Sequence, residues 1–140
     1  MQWIRITLDH FEALKQLQLA YKAEIGEDPP DASAFCRLRQ AIQQERITFF
    51  GCLQEGQLVA CCSVSPTFST FNYAPSGVFE DFYILPAWRH RGIARQLAAF
   101  AYAESGVQSL TVGCAACDLA LYQAIGFRLP LGHLLAYSPD

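Results

Sequence analysis

The sequence is poor in charge of either sign and has no long hydrophobic run. Charged residues make up 16% of its 140 residues, and ten Lys and Arg against thirteen Asp and Glu give a formal net charge of −3. No positive field over the whole molecule would attract nucleic acid or an anionic membrane. The longest apolar run, residues 97–103, is far shorter than the roughly 20 residues of a membrane-spanning helix. We therefore expect neither nucleic acid nor a membrane as a partner.

The N-terminal residues 1–6 lack the basic stretch, the apolar core and the small-residue cleavage site of a secretory signal. We therefore expect a cytoplasmic protein. A reducing compartment also suits the cysteines, which lie in apolar surroundings of a chain long enough to fold without disulfides. We expect reduced, buried thiols at all six positions: Cys36, Cys52, Cys61, Cys62, Cys114 and Cys117.

Metal-binding patterns are also scarce. Cys114-x-x-Cys117 has the spacing of a metal or redox site, but no second such pair and no histidine pair completes four ligands. The histidines at positions 10, 90 and 133 are scattered along the chain. We therefore expect no metal and assign the cysteines to core packing.

The apolar content is more than enough for one hydrophobic core. Hydrophobic residues make up 52% of the sequence and aromatic residues 13%, and a chain of this length buries roughly two-thirds of its unfolded surface in one domain. Without internal repeats or a linker, residues 1–140 are predicted to form a single domain.

Hydrophobic periodicity and turn residues predict the element order β-α-α-β-β-β-α-β-α-β. The first helix is expected to begin at Asp9 and to end near Gly26. Residues 65–77 are expected to form a loop, residues 109–114 a strand and residues 131–137 the last strand. This order predicts an α+β fold, a mixed central sheet with helices packed on it.

The segment from Leu85 to Arg95 is the most informative part of the sequence. It joins a predicted strand to a predicted helix through small residues and three arginines. Backbone N–H groups at a helix N-terminus are unpaired and carry partial positive charge, so such a turn can hold a pyrophosphate. The alternative is an ordinary turn with solvated arginines. The segment has neither of the glycine patterns that are typical of dinucleotide and nucleoside-triphosphate sites.

Arg89-x-x-Gly92-x-Ala94 resembles the Arg/Gln-x-x-Gly-x-Gly/Ala turn of the GNAT superfamily, the acyl-CoA-dependent N-acetyltransferases. Residues 82–86 upstream are similar to the cofactor strand of this family. Leu121-Tyr122-Gln123-Ala124-Ile125-Gly126-Phe127 is similar to its Leu-Tyr-x-x-x-Gly-Phe segment. The resemblance covers nearly the whole chain and is strongest from Val78 to Phe127.

The resemblance implies a GNAT-like fold and an acetyl-CoA site. Backbone groups of Phe82, Tyr83 and Ile84 would pair with the pantetheine arm, in a cleft between that strand and residues 109–114. The turn would bind the pyrophosphate through the backbone of Arg89, His90, Arg91, Gly92, Ile93, Ala94 and Arg95. The sequence departs from the family at Ala115 and Asp118, where Asn and Ala are frequent. An asparagine contact to the pantetheine is therefore missing.

Acyl transfer to an amine requires a base for the amine and an acid for the leaving thiolate. Tyr122 is the candidate acid, because a phenol stays protonated at neutral pH; the alternative is a tyrosine that only fills core space. Glu80 and Asp81 are the candidate bases, with Glu80 first, because Glu80-Asp81-Phe82-Tyr83 resembles the acidic-aromatic stretch of diamine and polyamine members. A solvated strand edge, or ion pairs with nearby arginines, would explain the same two carboxylates.

Four acidic residues cluster between the first two helices, where the resemblance places the mouth of the acceptor site: Glu24, Glu27, Asp28 and Asp31. Glu27 and Asp28 are the candidate acceptor-binding residues. Such a field attracts cations, which favours a small amine or a polyamine; the alternative is a solvated loop.

The sequence thus predicts an N-acetyltransferase that moves an acetyl group from acetyl-CoA to a primary amine by direct attack. A cysteine acyl carrier is disfavoured, because no histidine lies near any cysteine in sequence. The alternative from another class is a non-catalytic acetyl-CoA-binding regulator that acts on a partner protein. The acceptor and the oligomeric state, a homodimer included, stay open.

Overall fold

The computed structural model describes residues 1–139. Within them lie five strands: β1 (Gln2–Ile6), β2 (Thr48–Gln54), β3 (Gln57–Ser69), β4 (Ala74–Ile84) and β5 (Ser109–Thr111). Four α-helices accompany them: α1 (Phe11–Glu24), α2 (Ala32–Gln43), α3 (Ile93–Ser105) and α4 (Leu119–Ile125). Short 3-10 turns precede α1 and α4 and follow β4. In the part of the chain that is described, no helix is both long and apolar enough to cross a membrane.

The five strands form one mixed sheet in the order β1-β2-β3-β4-β5. The first four strands pair antiparallel with their neighbours, and β5 runs parallel to β4 after the crossover through α3. Side chains of a strand alternate between the two faces of a sheet, so each face buries its own core. The predicted α+β architecture, a mixed sheet flanked by helices, is confirmed.

The helices cover both faces of the sheet. Helices α1 and α2 pack on one face, where Leu14, Phe49 and Cys61 are buried. Helices α3 and α4 cover the opposite face over Phe50 and Phe79. The site described below lies where both layers meet the end of β4.

The prediction that residues 65–77 form a loop is wrong. Strands β3 and β4 continue through them as a hairpin that places Pro66 opposite Gly77 and Phe68 opposite Pro75. The two prolines are tolerated in this hairpin although each lacks a backbone N–H donor for the ladder. A β-carbon at Gly77 would lie 2.6 Å from Val64 Cγ1, so the glycine is required by the packing of the paired strands rather than by a turn.

The first helix begins differently from the prediction. Thr7, rather than Asp9, accepts the capping hydrogen bond, and Asp9 lies within a 3-10 turn, residues 8–10, that precedes α1. A threonine hydroxyl, like an aspartate carboxylate, accepts a hydrogen bond from the unpaired N–H groups at the start of a helix. Helix α2 is capped by Asp31, whose Oδ1 accepts from the Ala34 N–H at 2.7 Å.

The prediction of a last strand over residues 131–137 is wrong. From residue 127 to residue 139 the chain has no regular secondary structure. Leu131 and Tyr137 are 80% and 90% exposed. The segment is rich in apolar residues, but no ladder hydrogen bonds join it to a neighbouring strand among the described residues. The strand predicted over residues 109–114 is also shorter and ends at Thr111.

All six cysteines are free thiols, but only Cys52, Cys61 and Cys62 are buried. The other three were predicted to be buried and are exposed: Cys36, Cys114 and Cys117. Apolar neighbours in sequence misled the prediction, because Cys36 lies on the outer side of α2 and the other two lie outside the strands. Among residues 1–139 no group of three or more His, Cys, Asp and Glu side chains could hold a metal ion.

Candidate active site

The segment between β4 and α3 is a turn with two left-handed residues. After a 3-10 turn at residues 86–88, His90 has φ 63° and Gly92 has φ 81°. Helix α3 then begins at Ile93, so its first N–H groups have no partner within the helix. A β-carbon at Gly92 would have only Gln96 Nε2 nearby, at 3.6 Å. The backbone of this turn is therefore open and can approach an anion closely.

The three arginines of the turn differ in their surroundings. The Arg89 guanidinium donates hydrogen bonds to both carboxylate oxygens of Glu24, at 2.9 and 2.8 Å. Arg95 donates to the Ala124 carbonyl and so links α3 to α4. Arg91 is exposed and lies over the Trp88 ring at 4.7 Å from its centroid. Only Arg89 has its charge neutralised by a carboxylate in the structure.

Strand β4 contains a bulge at the candidate bases. Cys61 pairs with Tyr83 and Ser63 with Glu80, so the register shifts at this point. Asp81 has φ 54°, a left-handed conformation that costs a non-glycine residue roughly 1–3 kcal/mol. The buried Ser63 hydroxyl donates to Asp81 Oδ2 at 2.7 Å and fixes this half-buried carboxylate. The Glu80 residue is exposed.

Strands β4 and β5 part after three residue pairs. The parallel ladder runs from Ser76 opposite Ser109 to Val78 opposite Thr111. Beyond Val78, residues 79–84 have no partner strand on that side among the described residues. Their outward backbone groups can therefore pair with a ligand that lies between the strands, as the resemblance implies for Phe82, Tyr83 and Ile84.

Tyr122 lies on α4 beside this gap. Its ring centroid is 6.2 Å from that of Phe82 and 6.0 Å from that of Phe127. Burial raises the pKa of Tyr122 to about 12, and charges at Tyr21, Asp118 and Cys114 act in the same direction. The phenol is thus a neutral hydrogen-bond donor at any physiological pH. Its side chain also packs against the hydrophobic core, so packing and chemistry use the same residue.

Tyr21 is a site residue that the sequence did not reveal. Its ring centroid is 5.8 Å from that of Tyr83. Burial and the nearby Asp81 carboxylate raise the pKa of Tyr21. This phenol therefore faces β4 at the bulge. Its helical spacing after Leu14 and Leu17 indicated only a core position, and only the packing of α1 onto β4 brings the hydroxyl near a carboxylate.

The acidic cluster between α1 and α2 is largely engaged within the protein. Glu24 pairs with Arg89, and Glu27 accepts a hydrogen bond from Lys22 Nζ at 2.9 Å. Asp31 caps α2. Asp28 is exposed. The attractive field for a cation is consequently weaker than the count of acidic residues indicated.

The match of the sequence to a protein-family model agrees with this geometry. Residues 45–129 match the model of the acetyltransferase (GNAT) domain. The chain belongs to the GNAT acetyltransferase family. Membership makes it an acetyl-CoA-dependent N-acetyltransferase by class, and the resemblance of the sequence to this family is confirmed. No curated protein matches the sequence significantly.

Solved structures share this GNAT fold over nearly all of their length. A probable acetyltransferase is 20% identical with a TM-score of 0.85, and each chain is covered fully. An aminoglycoside acetyltransferase from an uncultured soil metagenomic sample, in complex with trehalose, is 18% identical with a TM-score of 0.81, covering 99% of this chain and 95% of that one. A predicted acetyltransferase with acetyl-CoA from Clostridium acetobutylicum is 14% identical with a TM-score of 0.74, covering 97% and 95%.

Proposed function

We propose that this GNAT protein transfers an acetyl group from acetyl-CoA to the amino group of a small amine or polyamine by direct attack. The observation that carries the proposal is the open turn at Gly92, placed directly between β4 and the N-terminus of α3. The backbone from Arg89 to Arg95, with His90 and Ile93 included, would hold the pyrophosphate. The similar fold of a protein crystallised with acetyl-CoA supports this assignment.

When bound, acetyl-CoA supplies an activated thioester. The new C–N bond forms as the C–S bond breaks, the sulfur leaves as a thiolate, and the amine nitrogen loses one proton. The chain must therefore accept that proton and stabilise the negative charge on sulfur.

Asp81 is our candidate for the residue that accepts the amine proton, directly or through a water molecule. The Ser63 hydroxyl fixes one of its carboxylate oxygens at 2.7 Å, and the bulge holds its backbone in place. Glu80, the first choice from the sequence, is exposed and has no such support. A positioned carboxylate is the better base, because proton transfer requires a defined distance.

Tyr122 is our candidate for the donor to the leaving sulfur. A phenol with a pKa of about 12 is a weaker acid than a thiol, whose pKa is about 8.5. Full proton transfer from Tyr122 to the thiolate would thus be uphill by roughly 5 kcal/mol. The phenol instead stabilises the departing sulfur by a hydrogen bond, and the thiolate takes its proton from solvent.

The acceptor is proposed from charge and from the kinds of amine that similar folds use. Burial raises the pKa of Tyr21 on α1, and the charges of Asp81, Glu27 and Glu80 act in the same direction. Negative charge therefore lies on the α1 side of β4, although Glu27 is paired with Lys22. Asp28 is exposed. One similar structure is an aminoglycoside acetyltransferase. These observations support a cationic amine as acceptor.

The decisive test is release of free coenzyme A thiol from acetyl-CoA across a panel of diamines, polyamines, aminoglycosides, amino acids and peptides. We expect turnover with a polycationic amine and little with free amino acids. Asp81→Asn should lower kcat far more than Glu80→Gln. Binding of coenzyme A without turnover on any amine would contradict the proposal and favour a non-catalytic regulator.

A further inference from the structure

One ion pair joins the end of α1 to the Gly92 turn across 65 positions of the sequence. Both oxygens of Glu24 accept from the Arg89 guanidinium, at 2.9 and 2.8 Å. Glu24 is the last residue of α1, and Arg89 is the first residue of the motif that carries the resemblance to the GNAT family. The pair therefore connects the helix beside the acceptor side with the turn that would bind the donor.

Arg89 is fixed from two further directions. Its Nε donates to the Ile84 carbonyl, the last residue of β4, at 2.9 Å. Its guanidinium also lies over the Tyr83 ring, 5.5 Å from the centroid. The hydrogen bonds to Glu24 raise the pKa of Arg89. These contacts engage Nε and Nη2, two of the three nitrogens of the guanidinium, and so hold its plane in one orientation.

The turn that follows Arg89 is one that requires support. His90 is left-handed without being a glycine, and Gly92 is left-handed two residues later. The glycine adopts this conformation freely, but at His90 it is strained and persists only where surrounding contacts impose it. Arg89 lies immediately before His90. The ion pair with Glu24 therefore restrains the backbone next to the strained residue of the turn.

We propose that Glu24 is a positioning residue for acetyl-CoA, acting through Arg89 on the geometry of the pyrophosphate-binding turn. This inference depends on the proposed site of acetyl-CoA at that turn. Glu24 does not touch the donor. It keeps the backbone N–H groups of residues 90–94 directed at the site of the pyrophosphate. Through the same ion pair, binding of acetyl-CoA at the turn stabilises the end of α1.

The contrasting possibility is an ordinary surface ion pair. The two side chains are 35% and 44% exposed, and many exposed pairs contribute nothing measurable. This pair differs from the Glu12–Lys15 pair, which lies within α1 at 3.3 Å. Arg89 Nη2 contacts both Glu24 oxygens, the two residues are 65 positions apart, and Arg89 Nε makes an additional contact. Glu12 thus provides a matched control on the same helix.

The test is calorimetric binding of coenzyme A to the whole chain, which needs neither an acceptor nor turnover. Glu24→Gln should raise the dissociation constant about three- to tenfold, because the charged partner that holds the Arg89 guanidinium becomes neutral. Glu12→Gln should leave it within twofold of wild type. In the Arg89→Gln background, Glu24→Gln should have no further effect, because its action passes through the arginine.

Steady-state kinetics and hydrogen exchange distinguish a role in positioning acetyl-CoA from a purely structural role. At saturating acetyl-CoA, Glu24→Gln should keep kcat within twofold while the KM for acetyl-CoA rises. In hydrogen exchange, coenzyme A should protect the amides of residues 21–25 in wild type, and this protection should be lost in the variant. Unchanged affinity for coenzyme A in Glu24→Gln, or an equal loss in Glu12→Gln or in the Arg89→Gln background, would overturn the proposal.

The two proposals fail in different ways. If wild type binds coenzyme A but acetylates no amine, the proposed function is wrong and the role of Glu24 is still tested by binding. If wild type turns over and Glu24→Gln behaves identically, the role of Glu24 is wrong and the proposed function stands.

Discussion

The phenol of Tyr122 belongs both to the core and to the proposed chemistry, and removing only its oxygen separates the two roles. In Tyr122→Phe the ring contacts with Phe82 and Phe127 remain. Binding of coenzyme A should therefore be unchanged. We expect kcat to fall about 10- to 100-fold, because a hydrogen bond to the developing thiolate is lost in the transition state.

The deficit of Tyr122→Phe should shrink with an acyl donor whose thiol is more acidic, because such a thiolate needs less stabilisation. Steady-state rates with two donors of different thiol acidity check this expectation. A variant with wild-type kcat for both donors would restrict Tyr122 to packing.

The raised pKa of Tyr122 also predicts how stability depends on pH. The folded-state pKa of about 12 exceeds the unfolded value of about 10. The native phenol thus stays protonated where the unfolded one ionises, and stability falls as the pH rises from about 10 to about 12. The decline in Tm over this window should be smaller in Tyr122→Phe than in wild type. Thermal denaturation at several alkaline pH values measures it, and equal declines would contradict the assigned cause.

At the level of elements, the close approach of β3 and β4 at Gly77 can be tested separately from catalysis. The β-carbon of an alanine there would lie 2.6 Å from Val64 Cγ1, and this β-branched side chain is buried and cannot swing away. Gly77→Ala should therefore cost about 1–3 kcal/mol of unfolding free energy. Denaturant titration should show this loss, whereas Thr111→Ala, at an exposed position of β5, should change stability much less. An unchanged unfolding free energy in Gly77→Ala would mean that strands β3 and β4 move apart enough to accommodate the β-carbon.

Elements whose signals are local were predictable from the sequence. The Gly92 turn and the succession of strands and helices depend on residues close together in the chain. The bulge at Asp81 was not predictable, because it depends on the register with Ser63 on β3. Tyr21 and the Glu24–Arg89 pair were missed for the same reason. Tyr21 and this ion pair depend on how α1 packs against β4. The spacing of residues within either element does not predict that packing.

For the whole molecule, the principal surprise is the apolar surface of the C-terminal segment. Five large side chains there are at least 80% exposed: Leu129, Leu131, Leu134, Leu135 and Tyr137. A patch of this kind is a liability for association. The apolar content of residues 131–137 suggested a last strand, but composition alone does not show whether a segment pairs with the edge of a sheet.

Replacing Leu131 and Leu135 together by Lys should therefore weaken self-association without unfolding the protein, because both side chains are exposed. We expect less retention on a hydrophobic column and less light scattering at high protein concentration, with Tm nearly unchanged. Glu104→Lys alone, at an exposed position, adds the same two units of positive charge and provides a charge-matched control. A large drop in Tm would show that the leucines are packed in solution.

The strand order β1-β2-β3-β4-β5 repeats the order of the chain, and this has a consequence for the speed of folding. Three of the strands form an uninterrupted meander joined by short turns, so most pairings close small loops and lose little chain entropy. Rates of folding rise as contacts become more local. We expect β2, β3 and β4 to be protected first in pulse-labelled refolding, with β1 and β5 joining later because each must wait for intervening helices.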